Sequence, residues 1–371
     1  MKIIDRYINE MLLATPETPL WNQEMIRLKK KASWNYIDGC MMTAFLTLYK
    51  NSQDKKYLNF LKNYIDYFIN KDGQILTYDR KKFNLDNINE GKVLFELYDI
   101  FKEEKYRKAM DRLYRQLRDQ PRTKEGNFWH KGIYPDQIWL DGLYMAQPFY
   151  LEYEKRFNNK KNYDDILEQY RQVKKLLKDN ATGLYYHAFD SSRTIFWCDE
   201  KTGQSPHFWL RAIGWFYMSL VDILELLDDA EDMDFFKEIS SIFQDLTDSL
   251  LQYQDDSGMW YQIVDRGSTI KNYLETSGSA ILSYALFKAV HLKIIPPSYR
   301  KNAERAFSGI CQKYLFEKQG RMNLGGTCMV AGLGGKEKRD GSFEYYMSEP
   351  VVENEAKGIA PFILAYLYSQ L

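Results

Sequence analysis

Histidine is scarce in this chain: four in 371 residues, with no His-Glu-x-x-His and no close pair. The spacing that a helix-borne zinc site needs is therefore missing, and neither a metal nor an organic cofactor is expected. The four cysteines (Cys40, Cys198, Cys311, Cys328) are scattered with no Cys-x-x-Cys, which argues against a zinc ribbon and a disulfide framework. Net charge is also absent. Lys+Arg and Asp+Glu both number 51, so the basic footprint of a nucleic-acid binder is not there. No apolar run is long enough to span a bilayer. The first ten residues lack the basic head and apolar stretch of a signal peptide and read as an amphipathic helix. No Pro/Gly/Ser linker or charge block divides the chain, so residues 1–371 are expected to form a single domain. That domain is expected to be cytoplasmic, a monomer or weak homodimer, with no membrane or nucleic-acid partner.

A glycine-rich run, Gly325-Gly326-Thr327 through Gly334-Gly335-Lys336, invites comparison with phosphate-binding loops. It lacks the required pattern: Glu337 follows Lys336, and Val330 stands at the upstream glycine position. A folded loop packed over a site fits it better.

What the chain has in quantity is aromatic rings, 16% of residues, including 29 tyrosines. Such rings serve as floors for sugars and equally as filling for large helical cores. Apolar residues recur at three and four nearly throughout, as in Tyr57, Phe60, Leu61, Tyr64, Ile65 and Phe68. The pattern predicts twelve helices, at 2–14, 34–50, 54–70, 87–102, 104–119, 136–157, 160–178, 206–228, 231–253, 274–292, 297–316 and 355–370. Pro148 is expected to kink or break the sixth. Short links near 51–53, 103, 158–159, 229–230 and 293–296 alternate with long ones near 71–86, 120–135, 179–205, 254–273 and 317–354. Loops that long in a compact domain are usually functional. Small strand-like pieces at 183–189, 259–264 and 321–330 decorate them. The alternation predicts an all-α fold, an (α/α)6 barrel of six helical hairpins with tight turns at one rim and elaborate loops at the other.

The unusual residues cluster where long loops enter alternate helices. They are Trp34, Asn35 and Tyr36; Asp86 and Asn87; Trp139 and Asp141; Ser205-Pro206-His207 through Trp209 and Arg211; Asn272 to Thr276; and Ser348-Glu349-Pro350 with Asn354. In a barrel these helix starts meet in one mouth. Their unpaired N–H groups and dipoles favour an anionic ligand there. Pro135 and Pro206 suit the first helical position, with Ser205 an N-cap. Asp141, flanked by tryptophan and leucine, is expected to be desolvated, with a raised pKa that keeps a proton near neutrality. It reads equally as a helix-start carboxylate. Arg211 is an anion clamp or a structural ion pair. His130 and His187 can donate to sugar hydroxyls or be satisfied core groups. Trp34, Trp139 and Trp209 can stack on a sugar or fill the core. Asp86 with Asp141 leaves ordinary two-carboxylate glycosidase chemistry open.

Several segments together resemble the unsaturated rhamnogalacturonyl hydrolases of glycoside hydrolase family 105. They are Pro121-Arg122-Thr123 through Phe128-Trp129-His130-Lys131, Trp139-Leu140-Asp141-Gly142 through Gln147-Pro148-Phe149, Tyr186-His187-Ala188-Phe189-Asp190, Ser205-Pro206 through Trp209-Leu210-Arg211-Ala212, Asn272 through Ser277, and Gly325 through Gly335 with Arg339-Asp340-Gly341-Ser342. Leu210, Ile213 and Phe189 depart from the pattern and bear on substrate preference. The resemblance implies an (α/α)6 barrel and release of the 4,5-unsaturated galacturonosyl residue from the non-reducing end of lyase-made rhamnogalacturonan or pectin oligosaccharides. It implies that Asp141 protonates C4 of the enol ether and activates the water that attacks C5, with Asp86 assisting. It further implies that Arg211, Trp209 and His187, and more loosely His130, bind substrate; Trp139 and Tyr36, by their place at helix starts, are expected to join them. An unsaturated glucuronyl hydrolase and a sugar epimerase or isomerase on the same fold are the rival readings. An epimerase would want a base on each face of the ring, and histidine is thin.

Overall fold

The computed structural model describes residues 2–227 and 230–371. Fifteen α-helices lie among them: α1 (Lys2–Met11), α2 (Gln23–Leu28), α3 (Tyr36–Ser52), α4 (Lys55–Phe68), α5 (Asp86–Asn89), α6 (Leu94–Phe101), α7 (Glu104–Asp119), α8 (Leu140–Phe157), α9 (Tyr163–Leu177), α10 (Leu210–Leu226), α11 (Met233–Leu251), α12 (Thr276–His291), α13 (Arg300–Tyr314), α14 (Phe343–Ser348) and α15 (Ala356–Tyr368). A 3-10 turn, Glu90–Val93, joins α5 to α6 so that the three act as one element.

Sequence decides which helices go inside. In α10, α12 and α15 almost every residue is buried, because each packs on two ring neighbours and an outer partner. In α4, α7 and α11 burial follows one stripe with charges opposite, as in a helix with one face in water. The inner elements touch in a closed circle: α3, the α5–α6 unit, α8, α10, α12, α15 and back to α3. Outside them α4, α7, α9, α11 and α13 each pair with the inner element preceding it. The chain's first helix completes the outer layer, with Asp5 of α1 accepting a hydrogen bond from Tyr366 of α15. This is the expected (α/α)6 barrel.

The helix starts differ from expectation in a way that matters for the site. Pro135 does not open a helix. Residues 137–139 instead form strand β1 (Gln137–Trp139), paired antiparallel with β2 (Ala188–Asp190), and α8 begins only at Leu140. Pro206 likewise sits in a bend, and Trp209 makes a bridge to Ile263 before α10 starts at Leu210. Ser205 is not a cap; its Oγ accepts from the Ala188 N–H. Pairing between neighbouring long loops holds these residues extended. The loops also carry the short pairs β3–β4 (Leu315–Lys318 with Arg321–Leu324) and β5–β6 (Thr327–Cys328 with Val351–Val352). The piece expected at 259–264 makes isolated bridges only. α8 runs unbroken through Pro148, losing the one hydrogen bond a proline cannot donate. Helices α2 and α14, too short for periodicity to mark, were not anticipated. The expected helix end at 228 and the link near 229 lie outside the described residues. No described helix is long and apolar enough to cross a membrane.

Candidate active site

The loop 120–136 and the β1–β2 pair build one wall of a cavity of about 320 Å³ at the long-loop rim. The His130 N–H donates to Gln137 O, the Leu85 N–H to His130 O, and the Leu140 N–H to His187 O. These three bonds fix His130 beside the start of α5 and His187 beside the start of α8. The Trp139 indole lies parallel to the His130 ring (centroids 4.6 Å) and to the Tyr134 ring (5.0 Å), with His187 edge-on at 5.2 Å. Its Nε1 donates to Gln137 Oε1. Trp139 is thus already engaged with its neighbours while still lining the cavity.

Three carboxylates line this space. Glu24 is paired with Lys30 and Lys357, and the other two, Asp86 and Asp141, each stand at a helix start with a histidine behind. Asp86, the first residue of α5, has Oδ2 2.6 Å from Lys131 Nζ and Oδ1 3.5 Å from His130 Nε2. Burial pushes the His130 pKa down to about 4, and Lys131 adds to this against the pull of Asp86 and Asp141, so His130 is neutral at pH 7. Asp86 and its Lys131 partner form a neutral pair at the cavity wall.

Asp141 is the second residue of α8, and its side chain is 14% exposed. His187 Nε2 lies 3.3 Å from Asp141 Oδ2, within reach of a donated proton, although the two atoms are not well aligned for a hydrogen bond. His187 Nδ1 sits 2.7 Å from the Tyr346 hydroxyl. Burial acts to raise the Asp141 pKa, but His187, with His130 in support, outweighs it and holds the group below the usual aspartate range. This corrects the expectation that an aromatic surround raises it: the residue behind the carboxylate is an imidazole, not hydrocarbon.

Arg211 does not reach this cavity. It is 1% exposed, with Nη1 donating to Cys328 O and to Ser277 Oγ at 3.1 Å, and Glu275 Oε1 at 3.8 Å. Its guanidinium lies 4.6 Å over the Trp209 ring, which packs against His187 and Tyr346. The expected clamp is in this conformation a buried support for the wall behind His187. Glu275 is the hinge of that support. It caps α12 through the Gly278 N–H and also accepts from the Cys328 N–H and Ser277 Oγ. Glu275→Ala leaves Arg211 buried without its counter-charge. It is expected to cost about 3–5 kcal/mol, read as a lowered denaturation midpoint in urea.

The six helix starts do not all open on the ligand space. Glu275 already occupies the start of α12, and Glu355 before α15 pairs with Lys357 at 2.7 Å, both fully buried. Trp34 is core: its Nε1 donates to Asn87 O, and the Asn87 amide returns a bond to Trp34 O. Asn354 bridges Tyr7 and Leu324, and Asn272 is spent on Ile263. Tyr36, half-buried at the start of α3, lines the cavity with Asp86, His130, Trp139, Asp141 and Met145. Trp209 and His187 stand behind it. Tyr134, Lys131, Arg339 and Tyr346 were not expected as site residues. Lys131 was signalled by its place next to His130, and Arg339 by closing the glycine-rich loop. Nothing in the sequence places Tyr346 against His187.

The profile of glycosyl hydrolase family 88 matches residues 4–369. A solved glycoside hydrolase from family 105 of C. acetobutylicum ATCC 824 is 45% identical, with a TM-score of 0.88, covering 95% of this chain and 99% of that one. Protein Atu3128 of Agrobacterium fabrum is 36% identical over 234 residues, 61% of this chain and 99% of that protein. The unsaturated rhamnogalacturonyl hydrolase YesR of Bacillus subtilis is 26% identical over 297 residues, 78% of each. With a family profile spanning nearly the whole chain and a family 105 enzyme alike along 95% of it, this protein belongs to the glycoside hydrolases of families 88 and 105.

Proposed function

We propose that the chain removes the 4,5-unsaturated galacturonosyl residue from the non-reducing end of lyase-generated rhamnogalacturonan or pectin oligosaccharides by hydrating its C4=C5 enol ether. The observation carrying this reading is the pair of histidine-backed carboxylates, Asp86 and Asp141, in one cavity beside Trp139. Asp141 is the general acid and base. It gives a proton to C4, positive charge develops at C5 beside the ring oxygen, and water adds at C5 while returning a proton to Asp141. The hemiketal so formed breaks its C5–ring-oxygen bond to give a ketone, leaving a hemiacetal at C1. That hemiacetal expels the next sugar as an alcohol. One water is consumed, and no redox partner is needed.

In the free chain Asp141 sits low, as a carboxylate. Docking a uronate carboxylate beside it disfavours a second negative charge, so substrate itself raises the Asp141 pKa and loads the proton. Asp86, with Lys131 on one oxygen, orients water or a sugar hydroxyl with the other. His130 and Tyr36 contact the sugar, and Trp139 holds His130 in place. Trp209 and Arg211 act from behind His187, Arg211 through its charge. Four free cysteines suit a reducing compartment, and we place the reaction in the cytoplasm.

Hydration erases the alkene's ultraviolet absorbance. A panel of lyase-made disaccharides is expected to lose it fastest when the unsaturated residue is galacturonosyl. Faster loss with unsaturated glucuronyl substrates would move the assignment to that sugar, and no loss with any would end it.

A further inference from the structure

We propose that the mouth of the cavity is a cationic subsite, centred on Arg339, that selects leaving saccharides carrying a carboxylate on the sugar next to the scissile bond. This rests on the reaction proposed above and, of its two substrate kinds, favours the digalacturonate products of pectin over the rhamnogalacturonan products, whose second sugar is a neutral rhamnose.

The cavity's charges are unevenly matched. Inside, the acids have partners: Asp86 has Lys131 at 2.6 Å, Asp141 has His187 at 3.3 Å, and Glu24 has Lys357 at 3.5 Å and Lys30 at 3.4 Å. Toward solvent the excess is positive. Lys31 lines the cavity, is exposed, and has no carboxylate partner among the described residues. Arg339 also lines it, with a side chain 17% exposed. The carboxylate paired with Arg339 is Glu337, at 3.9 Å and 81% exposed, a solvated contact of little strength.

Arg339 is nonetheless held. Its Nε donates to Gly334 O at 3.3 Å and its Nη2 to the Tyr134 hydroxyl at 3.3 Å, and Gly334 and Arg339 form a backbone bridge. The glycine-rich loop wraps the guanidinium so closely that a Cβ on Gly332 would lie 3.0 Å from Nη1. That gives Gly332 a use: a side chain there would crowd the guanidinium. Both bonds are long and go to neutral oxygens, so a carboxylate arriving in the mouth can replace or add to them with charge-assisted, two-pronged geometry. Tyr134 links this guanidinium to Trp139 and hence to the Asp141 end of the cavity. A sugar attached to a uronate at Asp141 leaves through this positive rim.

The test uses two substrates that differ in one charge: unsaturated digalacturonate, and the same disaccharide methyl-esterified on the second residue. The wild-type protein is expected to show a KM about tenfold lower for the free acid, the worth of one charge-assisted contact. Arg339→Gln is expected to erase that ratio by raising KM for the acid alone, with kcat for both within about twofold. Arg339→Lys should keep part of the ratio, and rising salt should shrink it in the wild type. Equal KM values in the wild type, an unchanged ratio in Arg339→Gln, or a ratio indifferent to salt would each overturn the subsite. Equilibrium binding of the two disaccharides to the Asp141→Asn variant gives the same ratio without turnover. A protein that binds the acid preferentially but leaves the alkene intact would therefore refute the reaction and not the subsite.

Discussion

Asp141→Asn is expected to lower kcat for loss of the alkene by about 10³-fold while leaving the melting temperature within about 2 °C of wild type. The amide keeps the shape and volume of the carboxylate at the second position of α8, whose Oδ2 has no well-aligned hydrogen-bond partner. The side chain is 14% exposed and borders the cavity, so no packing is lost. What disappears is the group that, in the proposed reaction, gives C4 a proton and takes one back from water. Protonation of carbon in an enol ether is slow without a positioned acid, and an amide cannot serve as one. Glu275→Ala should weaken the fold, whereas Asp141→Asn should stop the chemistry in an intact fold.

His187→Gln is expected to cost about 10²-fold in kcat and, more tellingly, to move the pH profile. In the proposed reaction His187 is a positioning residue that acts through Asp141. Its Nδ1 is fixed by Tyr346 and its Nε2 approaches Asp141 Oδ2. Burial alone would raise the Asp141 pKa, and His187 is the larger of the influences holding it down. Removing the imidazole releases that restraint, so the folded-state pKa rises. A general acid works in its protonated form, and kcat/KM reports the free enzyme. The limb on which kcat/KM falls as pH rises should therefore shift to higher pH in the variant. A residue that merely filled space would lower kcat without moving that limb. Circular dichroism and an unchanged melting curve would accompany the shift if the β1–β2 wall stays in place.

The barrel was legible because its signal is distributed. Largely buried inner helices, one-striped outer helices and alternating loop lengths recur around the ring, so no single boundary had to be right. Asp86, Asp141 and Trp139 were legible as candidates because they stand where long loops enter inner helices, and His130 and His187 because they lie within the long loops. Their relationships were not. That Asp141 would sit low instead of high depended on His187 arriving from a loop 46 residues later, through the pairing of Gln137–Trp139 with Ala188–Asp190. Arg211 looked like a clamp because a helix-start arginine beside tryptophan has the right chemistry. Only the fold reveals Cys328 and Glu275 occupying it. Pro135 and Pro206 misplaced two helix starts for a related reason, since loop-to-loop pairing overrode a local preference.

In the proposed reaction the alkene reacts first and the glycosidic bond falls apart afterwards. An unsaturated galacturonoside whose leaving group is joined through sulfur tests this directly. Direct displacement at C1 needs the bridging atom protonated, which sulfur resists, whereas hydration at C4 and C5 does not involve that atom. The expected result is loss of alkene absorbance at a rate within about tenfold of the oxygen-linked substrate, with release of free thiol, a difference in barrier of less than about 1.4 kcal/mol. A sulfur-linked substrate that stays intact while its oxygen counterpart is cleaved would contradict the account.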